Sequence, residues 1–140
     1  MNIKKVLEYD YNYAEYIVSD GGSDNDKELK CVCMSVPLSD GREPTIGLEI
    51  TRICAFSVDE LVINKIIKET EKQDSISKHL YNPLGYKLKG RVLDSNQSIV
   101  GIFNYKIDLE YDYPDGLGKD FKDGDYVEFS VDRLDCFIAD

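Results

Sequence analysis

The chain has 140 residues, enough for a single domain spanning 1–140, and its 42% hydrophobic and 31% charged residues are those of an ordinary globular protein. A formal net charge of −10 works against nucleic acid and anionic membrane as ligands, because both require a basic surface, and points instead to a basic protein partner. No run reaches the roughly 20 apolar residues of a membrane helix, and Glu8 and Asp10 fall where a secretory signal would be apolar, so a cytoplasmic location is expected.

In chain order, alternating tyrosines and Val/Ile predict a first strand over roughly 11–19. Asp20-Gly21-Gly22-Ser23 opens a turn-rich loop, and 29–36 forms a second strand with Cys31 and Cys33 on one face. A third strand covers 45–56, with a bulge near Thr51 and Arg52 where the alternation of Ile46, Leu48 and Ile50 breaks. Ser57-Val58-Asp59-Glu60 reads as a capping box, and Leu61, Val62, Ile63, Ile66 and Ile67 supply a broad apolar face, predicting the main helix at 58–72. A shorter helix is expected over 75–81, ended by Pro83.

A fourth strand, 86–94, alternates Tyr86, Leu88, Gly90 and Val92 with Lys87, Lys89 and Arg91. Residues 99–111 read as one long fifth strand with Ile99, Gly101, Phe103, Tyr105, Ile107, Leu109 and Tyr111 facing inward. Pairing it with the fourth strand sets Val92 against Gly101 and Leu88 against Tyr105. After an acidic loop at 112–125, a last strand spans 126–138, with a phase break near Asp132 and Arg133. The expected fold is mainly β with one principal α-helix: a small six-strand antiparallel barrel or half-barrel. Its order, three strands, helix, three strands, is similar to that of an OB-fold, in element order alone.

The chemistry-bearing features are few. Leu7-Glu8-Tyr9-Asp10-Tyr11 recurs word for word as Leu109-Glu110-Tyr111-Asp112-Tyr113. Residues 106–140 carry eleven acids against four bases, while 31–105 balance at nine of each. Tyrosines ringed by carboxylates suit a protein interface, the rings giving contact area and the charges steering encounter. Tyr9, Asp10, Tyr11, Asp108, Glu110, Tyr111, Asp112 and Tyr113 are therefore the expected partner-binding residues. Asp108, Glu110 and Asp112 also form a stripe at strand spacing, about 7 Å apart, to which nothing nearby adds a third chemical group.

Other constellations fall short. Asp20, Asp24, Asp26 and Glu28 lack the glycine and bidentate glutamate of a calcium loop. Cys31, Cys33, Cys54 and Cys136 show no paired zinc knuckles and read as reduced, buried thiols, with Cys31 and Cys33 about 7 Å apart along a strand. His79, the one histidine, belongs to no nucleophile motif. No catalytic residue, metal or cofactor is expected. The chain reads as a binding protein rather than an enzyme: one that sequesters or inhibits a basic protein, for instance an immunity protein neutralising a toxin. The alternative is an OB-like module taking single-stranded nucleic acid or a small ligand on Lys87, Lys89 and Arg91.

Overall fold

The structure, a computed structural model, describes residues 2–10, 13–19, 27–33, 46–47 and 49–138. Among these the chain is almost wholly β, with eleven strands, mixed pairing and no α-helix. It divides into two compact units, 1–53 with 134–140, and 54–133.

In the first unit, β1 (Asn2–Asp10) pairs antiparallel with β2 (Tyr13–Ser19), and β2 pairs with β3 (Leu29–Cys33). Beyond β3 come β11 (Arg133–Ile138) and then β4 (Ile50–Phe56), of which Ile50–Ile53 belong to this unit. Along β2 the faces alternate: Ala14, Tyr16 and Val18 are buried, and Glu15, Ile17 and Ser19 are partly exposed between them. The β3–β11 contact is parallel, Asp135 opposite Val32, so the pairing is not purely antiparallel. The sequence pattern alone misses β1, whose apolar alternation is broken by register shifts between Ile3 and Lys5 and between Val6 and Glu8.

In the second unit the organising strand is β7 (Tyr86–Asp94), which has the limits the alternation predicts. Tyr86, Leu88, Gly90 and Val92 are buried; Lys87 and Arg91 are exposed. Excluding a side chain such as Leu88 from water contributes about 2 kcal/mol. One edge of β7 pairs with β10 (Tyr126–Val131) along its first six residues. The other edge is shared end to end by β6 (Ser75–Lys78) and β8 (Ile99–Ile102). From β8 the order continues through β9 (Tyr105–Asp108) to β4, whose Cys54–Phe56 belong to this unit, and beyond β10 lies the two-residue β5 (Asn64–Lys65).

Several expectations are corrected here. The principal helix at 58–72 does not form; the stretch is extended, carries β5 and one 3-10 turn at Glu69–Glu71. Leu61 and Ile63 point inward while Val62 between them is exposed, a period of two rather than 3.6. The β-branched residues Val58, Val62, Ile63, Ile66 and Ile67 favour that choice. Two amides at the expected helix start are held instead by distant carboxylates. Val58 N–H donates to Asp132 Oδ2 (2.6 Å) and Leu61 N–H to Asp112 Oδ2 (2.9 Å). With the helix gone, the OB-like order and the six-strand antiparallel barrel go too. The shorter helix at 75–81 is replaced by β6.

The single strand at 99–111 is in fact a hairpin. A turn at Phe103 and Asn104 sets Ile102 opposite Tyr105. Phe103 adopts φ 54°, and its N–H donates to Asp74 Oδ2 (2.7 Å). The register moves by one from expectation, Arg91 lying opposite Gly101 and Val92 opposite Val100. The phase break in the last strand is real: β10 ends at Val131, β11 starts at Arg133, and Asp132 between them donates its N–H to Phe56 O (2.9 Å).

Candidate functional site

The acidic segment that follows β9 is a folded lobe, not a strand end. Asp108 Oδ1 accepts the Glu110 N–H (2.9 Å), and Tyr113 N–H donates to Leu109 O (3.0 Å), so the chain turns at once. Leu117 anchors the lobe, buried, with its N–H on Ser95 O (2.6 Å). Ser98, fully buried at φ 58°, donates its hydroxyl to Tyr113 O (2.6 Å). At Gly116, φ +95°, a Cβ would meet Ser95 O and Asn96 O at 2.9 Å, so the lobe rests directly on the turn between β7 and β8.

The expected partner-binding residues separate into groups. Tyr9 and Asp10 are on β1 in the first unit, and Tyr11 lies outside the described residues. The remaining five belong to the second unit. Asp108 and Glu110 converge on Cys54 of β4, the three side chains placing one donor atom each within 4.8 Å of one another. Tyr111, 43% exposed, meets Phe56 edge-on, ring centroids 6.5 Å apart, and the Arg133 guanidinium lies 4.0 Å from the centre of the Phe56 ring. Asp112 and Tyr113 grip Leu61 from both sides of its peptide group: the carboxylate accepts its N–H, and the phenol donates to its carbonyl at 3.0 Å. Asp108, Glu110 and Asp112 therefore do not form the strand stripe the spacing suggested.

Electrostatically, the focus of this face is Tyr113. Burial first, then the carboxylates of Glu60, Asp112 and Asp120, push its phenol above the ordinary 10.0. Glu60 also lines a cleft of about 310 Å³ together with Val62, Asn64, Lys87 and Glu128. Val62 is 61% exposed there, so an apolar contact stands beside carboxylates. Reading Glu60 as a helix cap hid its part in this face, and nothing in the local sequence relates it to Tyr113, more than fifty residues on.

The other constellations resolve more simply. Lys87 and Lys89 lie 3.8 and 4.0 Å from Glu128, a cross-strand neutralisation. His79 Nδ1 accepts the N–H groups of Tyr81 (3.2 Å) and Asn82 (3.1 Å) and so shapes the turn after β6. Asp20, Asp24 and Asp26 lie outside the described residues, and Glu28 pairs with Lys4. All four cysteines are buried thiols that form no disulfide. In the first unit the Cys136 thiol is pushed upward, chiefly by hydrogen bonding with Cys31, with Cys33 acting in the opposite sense and burial adding to the rise. No described helix is long and apolar enough to cross a membrane. Comparison with models of protein families, with curated proteins and with solved structures found no match.

Proposed function

We propose that this is a cytosolic binding protein whose acidic face occludes a basic protein, in the manner of an immunity protein holding a toxin. The observation that carries the reading is the convergence of Glu60, Asp112 and Asp120 around Tyr113, with the exposed Tyr111 beside it. Carboxylates at that density raise the encounter rate with a cation-rich surface, and a half-exposed pair of tyrosines supplies contact once it has docked. The lobe's hydrogen bonds to Ser95, Ser98 and Leu61 hold this face ready-made, which lowers the ordering cost of binding. The cleft beside Glu60 and Val62 offers room for one long basic side chain, its stem against the valine. The rival basic-stripe reading has less behind it, since Lys87 and Lys89 share Glu128.

The test is affinity capture on immobilised protein from lysate of its own cells, with salt elution and mass spectrometry, then titration of the eluted partner. A basic protein should be retained, and it should bind at least tenfold more weakly to a chain carrying Glu60→Lys and Asp120→Lys. Retention of nothing, of nucleic acid alone, or of a partner indifferent to both reversals refutes the proposal.

A further inference from the structure

We propose that Cys54, Asp108 and Glu110 form a binding site for one zinc ion. Three donors of two chemical kinds meet there from two separated stretches of chain. The Cys54 thiol comes from the second-unit part of β4, Asp108 is the last residue of β9, and Glu110 follows the turn that Asp108 itself holds. Sγ and the two carboxylate oxygens all lie within 4.8 Å of one another. This is not a patch of surface acids. Cys54 is completely buried and both carboxylates are half-buried, so the negative groups are gathered around an interior thiol. A divalent cation placed among the three would meet groups of opposite charge.

The donor set selects the metal. Calcium and magnesium take six or more oxygens, whereas a thiolate with two carboxylates suits a tetrahedral, borderline-soft ion. With Zn–S near 2.3 Å and Zn–O near 2.1 Å, donors around a tetrahedral zinc lie about 3.5 Å apart. The three groups therefore need to close inward by no more than about 1 Å, within reach of side-chain rotation at the two carboxylates. Partial exposure of Asp108 and Glu110 leaves the fourth position to water, the arrangement of an open zinc site. The thiol gives up its proton to solvent as the Zn–S bond forms, so binding releases one proton and tightens as pH rises. The site stands apart from the partner proposal: it uses carboxylates turned toward β4, not those around Tyr113.

The experiment is titration of the reduced, full-length protein with cobalt(II), followed by displacement with zinc. The expected result is one equivalent of cobalt, with the near-ultraviolet thiolate-to-cobalt absorption, displaced by one equivalent of zinc. Cys54→Ser should abolish the absorption, Cys31→Ser should keep it, and Asp108→Asn and Glu110→Gln should each weaken zinc binding tenfold or more. The two carboxamide variants keep size and are half-exposed, so circular dichroism will show them folded even if Cys54→Ser is not. No thiolate absorption in the wild-type chain, absorption that survives Cys54→Ser, or affinity unchanged in both carboxamide variants overturns the proposal.

Discussion

Adding one methyl group to Gly90 tests the arrangement of the second unit at its tightest point. A Cβ there would lie 2.2 Å from Gly101 O and 2.6 Å from Ile102 Cγ1. The obstacle is backbone, and β8 cannot retreat, since it is hydrogen-bonded to β7 on one side and β9 on the other. Overpacking of this kind costs about 3 kcal/mol or more. For a chain of this length that lowers the melting temperature by about 10 °C. Gly101→Ala is the internal control, because its Cβ meets Leu93 Cδ1 at 2.7 Å, and Leu93 is 41% exposed and able to swing away. It should cost about 1 kcal/mol, or roughly 3 °C. A Cβ on Gly118 meets nothing within 4 Å, so Gly118→Ala should be neutral or stabilising by up to about 1 kcal/mol. Thermal melts and urea titrations of the three variants decide the matter. If Gly90→Ala melts with Gly118→Ala, β7 and β8 do not approach each other this closely.

The remaining predictions concern carboxylates and one phenol. Asp132→Ala removes the acceptor of the Val58 N–H at 2.6 Å and should cost about 1.5–3 kcal/mol in urea unfolding; a change below about 0.5 kcal/mol would mean that this bond does not hold the 57–63 segment. The Asp125 carboxyl lies below its usual value, first because Oδ2 accepts the Lys122 N–H (2.9 Å), then through Lys65 at 3.4 Å, with slight burial opposing. Its contribution is therefore fully present above the unfolded value, about 4, and is lost as pH falls through the folded value. Stability of Asp125→Asn should fall less steeply than wild type below pH 4, and parallel curves would refute the assignment. Tyr113 carries the opposite sign: its raised phenol favours the folded state while neutral, so its contribution is lost as pH rises past 10.0. NMR titration of the tyrosine rings should find Tyr113 among the last to ionise, and earlier in Glu60→Gln; an unchanged midpoint in that variant would remove Glu60 from the site.

What the sequence reveals depends on where each backbone hydrogen bond finds its partner. Strand β7 is legible to its end residues because three buried side chains and Gly90 alternate with three basic residues, and one slip would bury lysine. The break at Asp132 is legible for the same reason, as Val127, Phe129 and Val131 change parity to Leu134 and Cys136. Residues 99–111 mislead because the turn at Phe103 and Asn104 carries no glycine. Its positive φ falls on a phenylalanine whose amide is held by Asp74, almost thirty residues earlier. The 58–72 stretch misleads similarly. Its local pattern satisfies a helix rule, but the Val58 and Leu61 amides find their acceptors far away, in Asp132 and Asp112, and the segment is drawn out. Cys54 meets Asp108 and Glu110 across more than fifty residues, and no spacing rule reaches that far.

The repeated pentapeptide carries the same dependence on distant partners over to function. Its first copy runs as strand from Leu7 to Asp10 beside β2, and its second turns back on itself from Glu110. Identical residues take both forms because the segment has no strong conformational preference, and its surroundings decide. In the second copy the surroundings also consume the chemistry that made the repeat look like an interface. Asp112 is bonded to the Leu61 amide and Tyr113 to the Leu61 carbonyl, while Asp108 and Glu110 face Cys54. The negative charge acting on Tyr113 then comes first from Glu60, outside the repeat, followed by Asp112 and by Asp120. On the proposed reading a basic partner is steered by all three carboxylates, and Asp112 has the second task of keeping Tyr113 in place through Leu61. Neutralising Glu60 and Asp120 should slow association and flatten its salt dependence, whereas Asp112→Ala should also speed dissociation, because it loosens the Tyr113 ring, and docked contacts act on residence.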